Sequence, residues 1–277
     1  MKKIVVIATL LVAAIIAAYA YHLNSLLAGV ANLSGANLHA TAWYPSTRSS
    51  EERVMDLGYA VCSLPSDISG ELQRVEDSMF ICLVAADKQP QVTFCPPVPE
   101  SDADVGLLIK QTRAFGIQAD TMFDLKKRAL ATMPFTLIDG LRWGRTKVVR
   151  EATLLTFKAL TFPADSEVRF FESDLLGMFI YSRQGSGMID LYDKHAGVSQ
   201  VFLVPTKDLL RIADVLATSY KIVGSPKTST DLETMLTEQR LPQISFSKPN
   251  NVESLGSEAE RLAEVADEIK RRRASRN

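Results

Sequence analysis

Several residue types are scarce in these 277 residues, and each shortage removes a class of chemistry. Cys62, Cys82 and Cys95 are the only cysteines, too few for a disulfide-dense scaffold, and no Cys-x-x-Cys pair exists. A zinc ribbon and a thioredoxin-type redox motif are thereby excluded. Histidine is equally rare. His22 and His39 precede the folded body, which leaves His195 alone within it, so a helix-face zinc pair has no second ligand. Ser186 in "RQGSGM" lacks the glycine two positions upstream that a nucleophile elbow requires. No glycine-rich phosphate loop leads into a helix with a following lysine. The acidic "ESDAD" at 100–104 has neither the loop glycine nor the distal glutamate of a calcium loop. Net charge is also scarce: the formal value of -1 argues against nucleic-acid binding driven by overall charge, and no nucleic-acid partner is expected. No catalytic set, metal or cofactor is assigned from the sequence.

What is present begins at the N-terminus. Lys2 and Lys3 precede an uncharged run from Ile4 to Tyr21. About 18 residues make a helix of roughly 27 Å, close to the ~30 Å hydrocarbon core of a bilayer. Residues 4–21 are therefore expected to contact the membrane as a transmembrane anchor or a signal helix. Ala18-Tyr19-Ala20 fits the small-x-small rule, so cleavage after Ala20 is one outcome. Apolar positions continue at helical spacing through Leu23, Leu26, Leu27, Val30 and Leu33, and nothing breaks the helix before the cut site, which favours a retained anchor. Either way the positive end stays inside and the remainder is exported. The short lysine-led start points to a bacterial inner membrane, single-pass, with the body in the periplasm, or to a secreted or periplasmic protein if the segment is cut.

Composition divides the rest. Residues 1–33 form the anchor or signal segment with its helical extension. Residues 34–52 read as a polar linker, 53–223 as the folded body, 224–254 as a Pro/Ser/Thr-rich linker with one short helix, and 255–277 as a charged amphipathic helix with a basic tail. The stripe Leu255, Ala259, Leu262, Val265, Ala266 and Ile269 makes 255–270 a candidate surface for a protein partner.

Within the body, "GYAVCSL" (58–64) and the hairpin "SMFICLVAADKQPQVTFC" (78–95) read as strands. A four-residue loop at Asp87–Pro90 pairs Leu83 with Phe94 and Ala85 with Val92, and sets Cys82 opposite Cys95. Helices are expected at 102–115, at 121–132 with Asp120 as cap, and at 146–160. Four strands follow at 167–173, 175–183, 188–194 and 198–204, joined by turns at Gln184–Gly187 and His195–Gly197. Thr206 is expected to cap a helix whose Leu209, Ile212, Ala213, Val215 and Leu216 cover one side of the sheet. The sum is an α+β fold: an antiparallel sheet with a late β-meander and helices packed on it, preceded by one transmembrane or signal helix. This order, a late meander before a closing helix that here ends "ATSYKIV", resembles the extrinsic photosystem subunit family and its bacterial relatives. The resemblance implies a fold type and no activity.

Three constellations stand out. Exported thiols tend to pair, and in the expected register Cys82 and Cys95 lie close enough for a disulfide worth about 3 kcal/mol; another pairing with Cys62, or three free buried thiols, are the alternatives. The stretch "LRWGRTKVVR" sets Arg142, Arg145, Lys147 and Arg150 around Trp143, a pattern suited to an anionic ligand or lipid head groups, or else to a solvated loop. His195, with Asp190, Asp193 or Glu172, is the one acid–base grouping available to an envelope enzyme. The functional expectation is a membrane-tethered binding or scaffolding domain without a catalytic site. The alternatives are an enzyme with dispersed residues around His195 and an assembly protein acting through the C-terminal helix.

Overall fold

A computed structural model of the chain describes Tyr21, Gly35 and residues 37–46, 51–76, 78–183, 186–224, 226 and 228–244. The expected membrane segment (4–21) apart from Tyr21, the cleavage site and the 255–277 helix lie outside the described residues. Among the described residues no helix is long and apolar enough to cross a membrane. Contacts divide the chain into two units. One holds the described residues up to Thr41 together with Ala103–Val168. The other holds Ala42–Asp102 and the described residues from Arg169 onward. The span 53–223 therefore contains a helical stretch that belongs to a different unit from its strands.

The sheet-bearing unit is mixed α+β. Its strands begin with β1 (Ala40–Ala42, straddling the boundary), β2 (Glu52–Asp56), β3 (Ala60–Pro65), β4 (Glu71–Val75), β5 (Ile81–Val84), β6 (Pro90–Phe94) and β7 (Val98–Pro99). They continue with β8 (Val168–Glu172), β9 (Leu176–Arg183), β10 (Ser186–Asp193), β11 (Val198–Pro205), β12 (Lys221–Ile222) and β13 (Gln243–Ile244). One large sheet runs β1-β8-β9-β10-β11-β6-β5-β4-β13, with β7 also on β11; a small second sheet runs β12-β3-β2. The pairs among β2–β12 are antiparallel, and β13 runs parallel to β4.

The four strands of the meander β8–β11 form where alternation predicts them, but the β9–β10 turn is shorter than the expected Gln184–Gly187: Ser186 and Gly187 already pair with Arg183 and Ser182 as the start of β10. Helix α5 (Leu209–Ser219) follows. Its Leu209, Ile212, Ala213, Val215 and Leu216 are all buried, and it packs against β3 and across β9, β10 and β11. Each large side chain so removed from water contributes about 1.5–3 kcal/mol. The helix starts later than expected: Thr206–Asp208 forms a single 3₁₀ turn, and Asp208 stands at the N-cap without a side-chain hydrogen bond. The start of α5 lies so close to β10 that a Cβ at Gly187, the second residue of that strand, would sit 2.8 Å from Leu209 Cδ1, which explains a glycine at this paired position. Part of the stretch 224–254 also joins this core. Helix α6 (Ser229–Glu238) is capped reciprocally by Thr228 and Asp231, and it buries Leu232 and Leu236 with the main cluster.

The β5–β6 hairpin corrects the expected register. Ile81 pairs with Phe94, Cys82 with Thr93 and Leu83 with Val92. Ala85 N–H donates to Gln89 O, Lys88 N–H donates to Ala85 O, and Lys88 takes a φ of 64°. The loop is therefore the three residues 86–88, with Lys88 in the left-handed position that follows a type I turn, and not the four residues 87–90. Cys82 and Cys95 become diagonal neighbours, about 7–8 Å apart at Cα, beyond the ~4.4–6.8 Å span of a disulfide. All three cysteines are free thiols.

The helical unit contains α1 (Ala103–Ala114), α2 (Met122–Ala131), α3 (Leu137–Trp143) and α4 (Arg145–Thr161). Ile109, Ile117, Leu125, Ala129 and Leu154 form its core. Thr121, not Asp120, caps α2 by accepting from Asp124 N–H, while Asp120 pairs with Arg113 at 2.7 Å. Gly35 and Leu38 belong to this unit: Leu38 is buried, and a Cβ at Gly35 would lie 3.4 Å from Ala164 Cα.

Candidate functional site

The helical unit carries an open groove of about 650 Å³, within the size range of ligand clefts. It forms where α2, α3 and α4 diverge. The segment between α2 and α3 contains Pro134, which has no main-chain N–H to continue α2. Thr136 then restarts the helix through a capping box: Asp139 N–H donates to Thr136 Oγ1 at 3.2 Å, and Thr136 N–H donates to Asp139 Oδ2 at 3.0 Å. The Thr136 hydroxyl and main-chain N–H hold the Asp139 carboxyl below the usual carboxylate range, with Arg142 and Lys147 adding to the effect. Gly144, at a φ of 75°, breaks α3 from α4 and supplies no capping side chain.

Aromatic and cationic side chains meet in this groove. Trp143 ends α3 and packs its ring 5.1 Å from that of Phe135. One turn on, Lys147 Nζ stands 4.1 Å from the Trp143 ring centroid, a cation–π pair. Arg150 is held by Glu151 through bonds of 3.1 and 2.8 Å. Arg128 enters from α2 and, among the described residues, forms no ion pair. The first turn of α4 has no acidic residue, so its positive dipole end adds to the lysine and arginine field. Two of the lining cations thus lack a carboxylate partner, while Asp139 and Glu151 are both engaged. Such a site is suited to an anionic group with an apolar body.

Of the residues singled out in the sequence, Trp143, Lys147 and Arg150 line the groove. Arg142 and Arg145 are exposed beside it and are not among its lining. Arg128, Phe135 and Asp139 had no local signal, because they come from other stretches of chain. Lys158 was also missed. It is fully buried, and its Nζ donates to Thr132 O, a carbonyl at the groove wall, at 2.8 Å. Burial lowers its pKa.

The His195 grouping lies in the sheet-bearing unit and has a structural account. Asp193 Oδ1 accepts the main-chain N–H groups of His195 (3.0 Å) and Ala196 (2.9 Å), and its Oδ2 accepts Ile222 N–H (3.1 Å). Its carboxylate thus closes the β10–β11 turn and ties β12 to it. Glu172 is paired with Lys194 at 2.8 Å. Asp190 is buried in the middle of β10, whereas the His195 side chain is exposed. Cys82 and Cys95 share a small cluster with Val75, Phe80, Val84 and Ile244, and Cys82 Sγ lies 3.6 Å from Thr93 Oγ1. Burial pushes the Cys62 and Cys95 thiols up to about 12, which makes them poor nucleophiles. Among the described residues no three His, Cys, Asp or Glu side chains come together as a metal site. Comparison with known proteins finds no matching family model, no matching curated protein and no matching solved structure.

Proposed function

We propose that the chain is a membrane-tethered extracytoplasmic binding or scaffolding module, held to the bilayer by residues 4–21 and carrying its ligand site on the helical unit. The observation behind this reading is the groove in which Lys147 covers Trp143 while Arg128 and Lys147 lack carboxylate partners. A concave surface of this kind retains an anion with an apolar body, which is what binding without turnover requires. The use of Asp193 as a main-chain cap gives that carboxylate a structural role in the β10–β11 turn, independent of any chemistry at His195.

The test uses the full chain in liposomes. Thermal unfolding is followed against a series of anionic amphiphiles and their neutral counterparts, in the wild type and in Lys147→Gln. A shift with the anionic members alone, lost in Lys147→Gln, is the expected result. Turnover of an envelope substrate that His195→Ala abolishes would replace this reading with the enzymatic one.

A further inference from the structure

The groove edge carries a second feature that bears on what the site meets. Met133, at the groove wall, is 57% exposed, and Ile138, on α3, is 68% exposed. Large apolar groups this open to water, set beside cations, form the pattern of an interfacial surface. Ile138 and Arg142 are four residues apart on α3 and so share a face. Arg142, Arg145 and Lys147 form no ion pair among the described residues. Trp143 lies among them, the residue type that settles at the level of lipid head groups.

The chain also limits where this unit can go. Leu38 and Gly35 are already packed on it. Tyr21 and Gly35 are 14 positions apart, and in any conformation that length of chain reaches at most about 50 Å.

We propose that this edge of the helical unit docks on the anionic surface of the bilayer that carries the chain's own N-terminal segment. Met133 and Ile138 enter the interface, and Arg142, Arg145 and Lys147 face the phosphate groups. The inference rests on the tethered reading above and names its ligand: phospholipid head groups in a membrane plane. The match is one of charge and polarity: exposed cations over lipid phosphate, exposed apolar tips over the upper acyl chains.

The experiment reads Trp143 in the full chain. Trp43→Phe leaves Trp143 as the remaining tryptophan, and the protein is reconstituted into vesicles of phosphatidylcholine with or without phosphatidylglycerol. One of the two lipids is brominated high on its acyl chain. Flotation of the vesicles first reports whether the chain is anchored. Quenching of Trp143 emission is expected with phosphatidylglycerol present and little in pure phosphatidylcholine. It is expected to fall away near 1 M salt, where the screening length is about 3 Å. Each cation removed is expected to lower docking about fivefold, so Arg142→Gln/Arg145→Gln/Lys147→Gln loses the quenching, and Met133→Ser/Ile138→Ser weakens it. These side chains are on the surface, and an unchanged circular dichroism spectrum confirms folding. Anchored protein without quenching overturns docking and leaves the tether standing. Equal quenching in neutral and anionic vesicles overturns the head-group assignment. Protein that does not float with the vesicles overturns both readings.

Discussion

Gln200 Nε2 lies 2.6 Å from the Tyr59 hydroxyl, across 141 residues of sequence. The same nitrogen donates to Cys95 O at 2.9 Å, and Gln200 Oε1 accepts from the Tyr220 hydroxyl at 2.9 Å. One amide on β11 thus satisfies groups that flank β3, β6 and α5, all inside the main core. Burial raises both phenol pKa values, so Tyr59 and Tyr220 stay neutral there. Gln200→Leu keeps the size and orphans three polar groups. The expected loss is about 3 kcal/mol or more, against about 1–2 kcal/mol for Tyr59→Phe. Urea unfolding measures both. A Gln200→Leu protein as stable as the wild type would remove the network from the account of this core.

Gly187 marks the closest approach of α5 to the sheet. A Cβ there meets Leu209 Cδ1 at 2.8 Å and Leu209 Cβ at 3.1 Å. Gly187→Ala is expected to cost about 1–3 kcal/mol by overpacking. Shortening Leu209 to Ala in the same chain should recover part of that loss, a coupling that a double-mutant cycle reads directly. Strict additivity of the two changes would show that the contact is not the cause.

Lys158 makes stability depend on pH. Its folded pKa lies below the ordinary value of 10.5 because burial penalises the charged form. Between the folded value and 10.5 the unfolded chain binds more protons than the folded one, so stability rises with pH through that window. Lys158→Met fills similar volume without a charge and should flatten the rise. Urea midpoints from neutral pH to about pH 10 are the measurement. A variant that keeps the wild-type slope contradicts the assignment to Lys158.

The cysteines are expected to remain thiols. Cys62 and Cys82, both fully buried, should resist alkylation in the folded protein and react fully in urea, while the half-buried Cys95, its thiol pushed up to about 12, should react slowly. A peptide map made without reductant should recover residues 82 and 95 on separate peptides. A bridged peptide would mean that β5 and β6 adopt another register in the cell.

The hairpin shows how sequence legibility fails locally. Both strands were legible from alternation, yet Lys88 took a left-handed conformation that its side chain gives no reason to expect. That one choice shortened the loop and moved Cys95 from opposite Cys82 to its diagonal. The groove was legible in the same partial way. Trp143, Lys147 and Arg150 lie within one stretch, so their grouping is a matter of helical spacing. Arg128 and Phe135 come from segments with no shared pattern, and only the break at Pro134 and the packing of α2 on α4 bring them alongside.

Local chemistry alone dictated the meander, the amphipathic face of α5 and the histidine- and cysteine-poor character of the chain, because alternation, helical period and composition are carried by neighbouring residues. Tertiary structure decided the rest. It made β4 a strand through pairing with β5, although "ELQRV" carries little strand signal of its own. It turned Asp193 from a candidate catalyst into a cap, and it opened a groove between helices. Those outcomes depend on which distant groups satisfy one another once water is excluded, and that information does not reside in any single stretch of the chain.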